Sequence, residues 1–270
     1  MLETLKIFYA FLRKDFLIAY SYRTNFFISI LTVFFLLFVL SNLSKLSVDN
    51  EILGNFKDNS FGYFVIGIAI IDFAMTISAR GAAQARELQL TGVFEELLLF
   101  RRSNAELMIS LFIYPTVFAL FRFSLILVFG VVFFDLQINN LGNFALLVLV
   151  MSLSIISFIG IGLISAFFII ILKKGDFVNT INLILCIGFG NIIFPSEIVD
   201  TQLSQISYFL PITHSVELLR ELLIGSIDTK NISTNIAYLS SLSFFFIAIG
   251  IISCIYAIKF AKIKGSIGEF

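Results

Sequence analysis

Long apolar runs separated by short charged clusters dominate this chain. A helix needs ~20 mostly apolar residues to cross the hydrocarbon core of a bilayer. Stretches 25–43, 61–79, 107–134, 144–172, 177–194 and 235–258 answer to that pattern, so six transmembrane helices are expected. The third and fourth are long enough to tilt or protrude, and the fifth is short. The pattern predicts an all-α membrane protein in which residues 1–270 form a single transmembrane domain.

Three further segments carry a different rhythm. Leu5, Phe8, Tyr9, Leu12 and Phe16 recur at helical spacing among charges, so 3–22 is expected to be an amphipathic helix lying in the membrane interface. Between the second and third spans, Val93, Phe94, Leu97 and Leu98 form an apolar face beside Arg86, Glu87, Glu95 and Glu96. A cytoplasmic amphipathic helix is expected there, over 86–102, with Gly92 interrupting it. The fifth run ends in FPSEIVDTQLSQISYFLPITHSVELLRELLIG, from Phe194 to Gly225. Two prolines and several charges directly after an apolar run suggest chain that enters the bilayer, breaks and turns back. Broken backbone at membrane depth is tolerated inside a protein bundle or against a water-filled cavity. Residues 195–225 are therefore expected to form a re-entrant hairpin.

Basic residues orient the spans. Lys6, Arg13, Lys14 and Arg23 precede the first span, and Arg80, Arg86, Arg101 and Arg102 lie between the second and third. Lys173 and Lys174 follow the fourth, and Lys259, Lys262 and Lys264 follow the last. The other side holds only Lys45, Lys57, Arg220 and Lys230. Both termini are thus expected in the cytoplasm, with the hairpin opening outward.

Composition narrows the class. At 59% hydrophobic and 13% charged residues, a soluble domain is excluded. With 34 Phe and no Trp, anchoring at the interface falls to Tyr and to snorkelling Lys and Arg. A formal charge of zero gives no reason to expect a nucleic-acid partner. Cys186 and Cys254 lie in apolar runs and read as small buried hydrophobes.

Asp72 and Arg122 fall inside the second and third spans. Intramembrane charges are costly and are usually paired or functional. The two are expected to meet across antiparallel neighbours and fix their packing, with direct substrate contact as the alternative. Asn179, Asn182, Cys186 and Gly190 share one face of the fifth span, a stripe suited to lining a passage or, preferably, to a two-fold seam between copies. His214, Glu217, Arg220 and Glu221 read as a local ion-pair group. No third ligand accompanies His214, so no metal site is expected. Gly160-Ile161-Gly162 lacks the strand–turn–helix setting of a nucleotide fingerprint. Gly162 with Ala166, and Ser78 with Ala82, instead permit close helix approach. No phosphate-cradling loop is present, so this chain is not expected to bind ATP by that device, nor to carry a catalytic residue of its own.

The order of amphipathic arm, two spans, Glu-rich cytoplasmic helix and four further spans resembles the membrane subunits of ABC exporters of the type-2 permease family. Two motifs carry the likeness: Gly92-Val-Phe-Glu95-Glu-Leu97-Leu98, similar to Gly-Thr-Leu-Glu-x-Leu-Leu, and residues 194–225. Glu87 and Asp200 depart from the pattern, in which an acid lies two residues before the glycine and a second proline is common in the hairpin. The resemblance implies that Gly92, Phe94, Glu95, Glu96 and Leu97 form a coupling helix seated in a separate ATPase subunit. That subunit would bind ATP and Mg. It also implies that Phe194, Pro195, Pro211, Thr213, Glu217 and Arg220 belong to the translocation pathway or outer gate.

The expected function is the transmembrane subunit of an ATP-driven exporter in the cell (inner) membrane. Its partners would be a second permease copy, two ATPase subunits and membrane lipids. Walls rich in Phe and Leu suit a drug-like or lipid passenger, with polysaccharide or lipid-linked glycan export as the alternative. From another class, a lipid-modifying membrane enzyme would use His214 and Glu217 as an acid–base pair.

Overall fold

In the computed structural model, the described residues are 2–21, 23–46, 59–94, 96, 104–138, 143–172, 176–192, 201–225 and 229–264. Among them the chain is helical, without strands. The helices are α1 (Leu2–Ser21), α2 (Arg23–Leu46), α3 (Ser60–Leu90), α4 (Asn104–Ser110) and α5 (Ile113–Phe134). They continue with α6 (Phe144–Leu172), α7 (Asp176–Phe189), α8 (Thr201–Tyr208), α9 (Pro211–Leu223) and α10 (Thr229–Lys264).

Five segments are long and apolar enough to cross a membrane: Phe27–Lys45, Ser60–Leu90, Glu106–Phe134, Phe144–Leu172 and Ile232–Phe260. They coincide with five of the six expected spans. The expected span over 177–194 is met only by α7, whose 14 residues extend about 21 Å at the usual rise. That falls short of the ~30 Å hydrocarbon core. Nor is the third span continuous. Pro115 lacks an N–H and crowds the carbonyl four residues earlier, so the helix breaks at Leu111 and Phe112 between α4 and α5.

Local signals explain the other boundaries. Asn59 caps α3, its Oδ1 accepting from the Gly62 amide at 3.2 Å. Its Nδ2 donates to the Gln137 carbonyl at 2.9 Å, which ties the start of α3 to the chain leaving α5. At the end of α5, Asp135 takes a left-handed conformation (φ 53°), and the Leu136 amide bonds the Gly130 carbonyl at 3.0 Å.

α6 forms the centre, packing most extensively against α10 and α3, while α3 also packs on α5. A helix apolar on all sides belongs inside. Its inward positions are small: Ser154, Ser157, Gly160, Gly162, Ser165 and Ala166 are buried. The expected close approach at Gly162, Ala166, Ser78 and Ala82 is seen, since all four are buried and a Cβ on Gly162 would lie 3.0 Å from the Ser78 Cα. Polar bonds also cross here. Ser243 Oγ donates to the Leu153 carbonyl at 2.8 Å, and Cys254 Sγ–H to the Leu163 carbonyl at 3.3 Å. Outward faces of α2 and α10 expose Phe27, Leu31, Phe35, Phe244 and Phe245, as suits contact with lipid tails.

α6 and α10 cross closely at Gly160 and Gly250, where a Cβ on Gly250 would lie 2.6 Å from the Gly160 carbonyl oxygen. Gly250→Val is therefore expected to lose ~1–3 kcal/mol by forcing α6 and α10 apart. A thermal melt of the purified protein checks this, and an unchanged melting temperature would exclude so tight a crossing.

A helix, α1, is present where the arm is expected, over 3–22, with Tyr9, Phe16, Leu17 and Tyr20 exposed. Its inner side is held by Asp15, which accepts from Gln84 Nε2 of α3 at 3.0 Å and pairs with Lys14 at 3.1 Å.

Candidate functional site

The most polar buried place in the molecule is built on α9. Leu210 precedes Pro211 and is extended (φ −95°, ψ 116°), because the proline ring disfavours helix at the residue before it. The chain therefore runs as α8, a break at Phe209 and Leu210, and α9 with Pro211 at its first turn. This is the helix–break–helix expected within 195–225. Phe194 and Pro195 lie outside the described residues.

Arg220 is 2% exposed on α9. Its Nε and Nη2 donate to the Tyr63 carbonyl at 3.2 and 3.0 Å. Nη1 donates to the Asn191 carbonyl at 2.6 Å, and Nη2 also to Ile192 at 2.8 Å. The guanidinium carbon lies 3.4 Å from the centre of the Tyr63 ring, a cation–π contact. Gly67 makes the socket possible, since a Cβ there would fall 2.7 Å from Arg220 Nη2. One cation thus joins α9 to the end of α7 and the start of α3.

Glu217, one turn earlier, does not pair with Arg220 as expected. Its Oε1 accepts from Asn191 Nδ2 at 2.9 Å and its Oε2 from Asn235 Nδ2 at 3.2 Å. Backbone carbonyls accept four hydrogen bonds from the guanidinium, and a side-chain amide donates to each carboxylate oxygen, so the two groups are held by separate partners. Asn191 is the hub, with φ 54°, a conformation that asparagine adopts more readily than most residues. Its Oδ1 accepts from the Tyr63 hydroxyl at 3.2 Å. Thr213 is buried, with its hydroxyl 3.4 Å from the Phe189 carbonyl.

His214 is 1% exposed, stacked on the Tyr238 ring at 5.4 Å. Both ring nitrogens are engaged, Nδ1 with Asn235 Oδ1 at 3.2 Å and Nε2 with the Tyr208 carbonyl at 3.1 Å. A histidine so enclosed cannot serve as an acid or base at an open interface, which removes the lipid-modifying enzyme. No group of three or more potential metal ligands occurs among the described residues.

Asp72 and Arg122 meet as a bidentate pair between α3 and α5. Nε donates to Oδ2 and Nη2 to Oδ1, each at 2.9 Å. Arg122 Nη1 donates to the Ser29 hydroxyl, which brings in α2.

Two expectations change at the remaining positions. Residues 86–90 belong to α3, which ends when Thr91 caps it and Gly92 turns left-handed (φ 73°). Phe94 is 1% exposed and joins the chain's own core, so it is not a free knob for a partner. Glu96 is exposed beyond it, while the Glu95 side chain and residues 97–102, including Leu97, lie outside the described residues. Of the stripe on α7, Asn179, Cys186 and Gly190 are buried within this chain and Asn182 is half-buried. The opposite face carries exposed Ile181 and Ile184.

Tyr63, Gly67, Asn191 and Asn235 were not singled out from the sequence. Only Gly190-Asn191, a helix-stop pair, carried a local signal.

A family model described as ABC-2 type transporter matches residues 7–224, well over half of the chain. The chain therefore belongs to the ABC-2 type transporter family and is a multi-pass membrane protein. It is a membrane component of transport, not an enzyme in itself, from a family whose permeases normally partner with an ABC ATPase subunit. No curated protein matches the sequence.

Proposed function

We propose that this chain is the pathway-forming subunit of an ATP-driven exporter for hydrophobic or amphipathic, drug-like or lipid substrates. The observation that carries the reading is the family match over 7–224, which takes in the first four of the five membrane-length apolar helices and the broken pair α8–α9. Two copies would enclose the pathway in the cell membrane, with both termini cytoplasmic. α7 would contribute to a sixth crossing. ATP and Mg would be bound by two separate ATPase subunits, because the sequence has no loop for them.

In this reading α8–α9 is the outer gate, with Arg220 and Glu217 fastening it to α3, α7 and α10. The segment around Gly92 meets the ATPase. Buried Phe94 roots that segment in the permease, and exposed Glu96 faces the partner. Such a lever needs one end fixed and one end free.

Co-expression with a candidate ABC ATPase, co-purification and measurement of ATPase activity test the assignment. Permease-stimulated hydrolysis is expected. Glu96→Lys should reduce the stimulation by about tenfold or more, since like charge at an interface costs several kcal/mol. Membrane insertion should be unaffected. Full stimulation in that variant would remove Glu96 from the contact, and absence of any ATPase partner would sink the exporter reading.

A further inference from the structure

A cavity of about 670 Å³ lies between α2, α3, α5 and α7, reaching Ile192 at the edge of the Arg220 cluster. Its volume falls in the range of small-molecule sites. Val33, Leu36, Ile68, Ile71, Leu183 and Ile187 supply an apolar wall. The polar groups gather around Asp72, Arg122, Asn179 and Thr32.

These polar groups are not all satisfied. Asn179 is 8% exposed, and its Oδ1 is buried without a hydrogen-bond partner. A buried amide without a partner is costly, and such groups are rare unless a ligand or water completes them. Asp72 can accept about four hydrogen bonds as a carboxylate, and Arg122 fills two of those positions. The Thr32 hydroxyl spends its proton on the Ile28 carbonyl at 2.7 Å, leaving oxygen lone pairs. Of the ion pair, the carboxylate is the more accessible member, at 27% against 13% for the arginine side chain. The guanidinium is turned to Asp72 and Ser29. The cavity therefore shows a carboxylate edge and a hydroxyl oxygen to an occupant beside an aliphatic wall, with the unpartnered amide oxygen of Asn179 buried in its lining.

We infer that this cavity binds an amphiphile with a protonated amine head, the ammonium N–H groups donating to Asp72 and Asn179 and the alkyl part lying along α3 and α7. The inference deepens the export reading by naming a substrate class, and it rests on that reading only for what happens after binding.

The test uses the full chain in phosphatidylcholine nanodiscs and a dodecylamine carrying a photoreactive diazirine on its tail. Saturable labelling is expected on peptides containing Ile68, Ile71, Leu183 and Ile187. Dodecylamine should displace the label, while dodecanol and dodecanoate should not. Asn179→Leu should weaken the apparent affinity about tenfold, as loss of a hydrogen bond to a charged group predicts. Should that variant fold poorly, the displacement order in the unaltered protein decides the matter. Equal displacement by dodecanoate would overturn the cationic head. Unsaturable label spread over lipid-facing residues such as Phe27 and Phe35 would overturn the site itself. Loss of the site with an ATPase still co-purifying leaves export standing. Labelling with no ATPase partner leaves the site standing and removes export.

Discussion

Arg220→Met should be the most damaging single change around α9, with an expected loss of ~3–5 kcal/mol, because hydrogen bonds from a charged donor worth ~1.5–3 kcal/mol each are lost in the interior. Methionine preserves most of the stem volume, so the effect isolates the guanidinium. Its removal takes the charged donor away from the carbonyls of Tyr63, Asn191 and Ile192 in a closed interior. Arg220→Lys should fall between, because an ammonium keeps the charge but cannot span three carbonyls with a planar fork. Gly67→Ala attacks the same socket from the opposite wall, where the added methyl meets both Arg220 Nη2 and the Ile192 carbonyl at 2.7 Å. Thermal melts monitored by size-exclusion chromatography should rank unaltered protein above Lys, and Lys above Met. A Met variant that melts with the unaltered protein would show that the carbonyls find other donors and that the cluster does not fasten α9.

Why the sequence revealed the break in the hairpin but not its fastening follows from the range of the interactions. Proline acts on its neighbours, so Pro211 announced a helix start and an extended Leu210 directly. The partners of Arg220 are backbone carbonyls on α3 and at the end of α7, and every residue carries a carbonyl. No side-chain pattern therefore points to them. Spacing on one helix face made Glu217 and Arg220 look like a pair, yet tertiary amides from Asn191 and Asn235 compete successfully for the carboxylate. The long spans were legible because their apolar runs exceed the membrane thickness. α7 misled because a run of apolar residues says nothing of where the helix stops, and Gly190 with Asn191 stops it early. Pro115 held a signal for the break in the third span that hydropathy alone passes over.

Phe94 teaches a related point. An amphipathic pattern tells which residues leave water, not whether they do so into a partner or into their own chain. Here Phe94 is covered by its own fold and Glu96 remains outside, so any contact with an ATPase has to be made by the residues around the aromatic anchor.

The second large effect is expected at the Asp72–Arg122 pair. Asp72→Asn or Arg122→Gln alone should lose ~3–5 kcal/mol, because each leaves an unpaired charge in a poorly solvated place. Exchanging the two residues, as D72R with R122D, should recover more than half of that loss. Recovery should stop short of full, since the arginine on α3 would no longer meet Ser29 on α2 in the present geometry. A double-mutant cycle on purified protein reads the coupling directly, and an exchange no better than the single variants would show that the pair does not hold α3 to α5. A further variant separates packing from binding. D72L with R122M removes both charges at similar volume, and such replacements are often neutral or stabilising. If the pair serves packing alone, that protein should melt normally and still take up the amine probe. The accessible carboxylate edge and the orphaned amide of Asn179 beside it argue for the other result: a well-folded protein with an empty cavity.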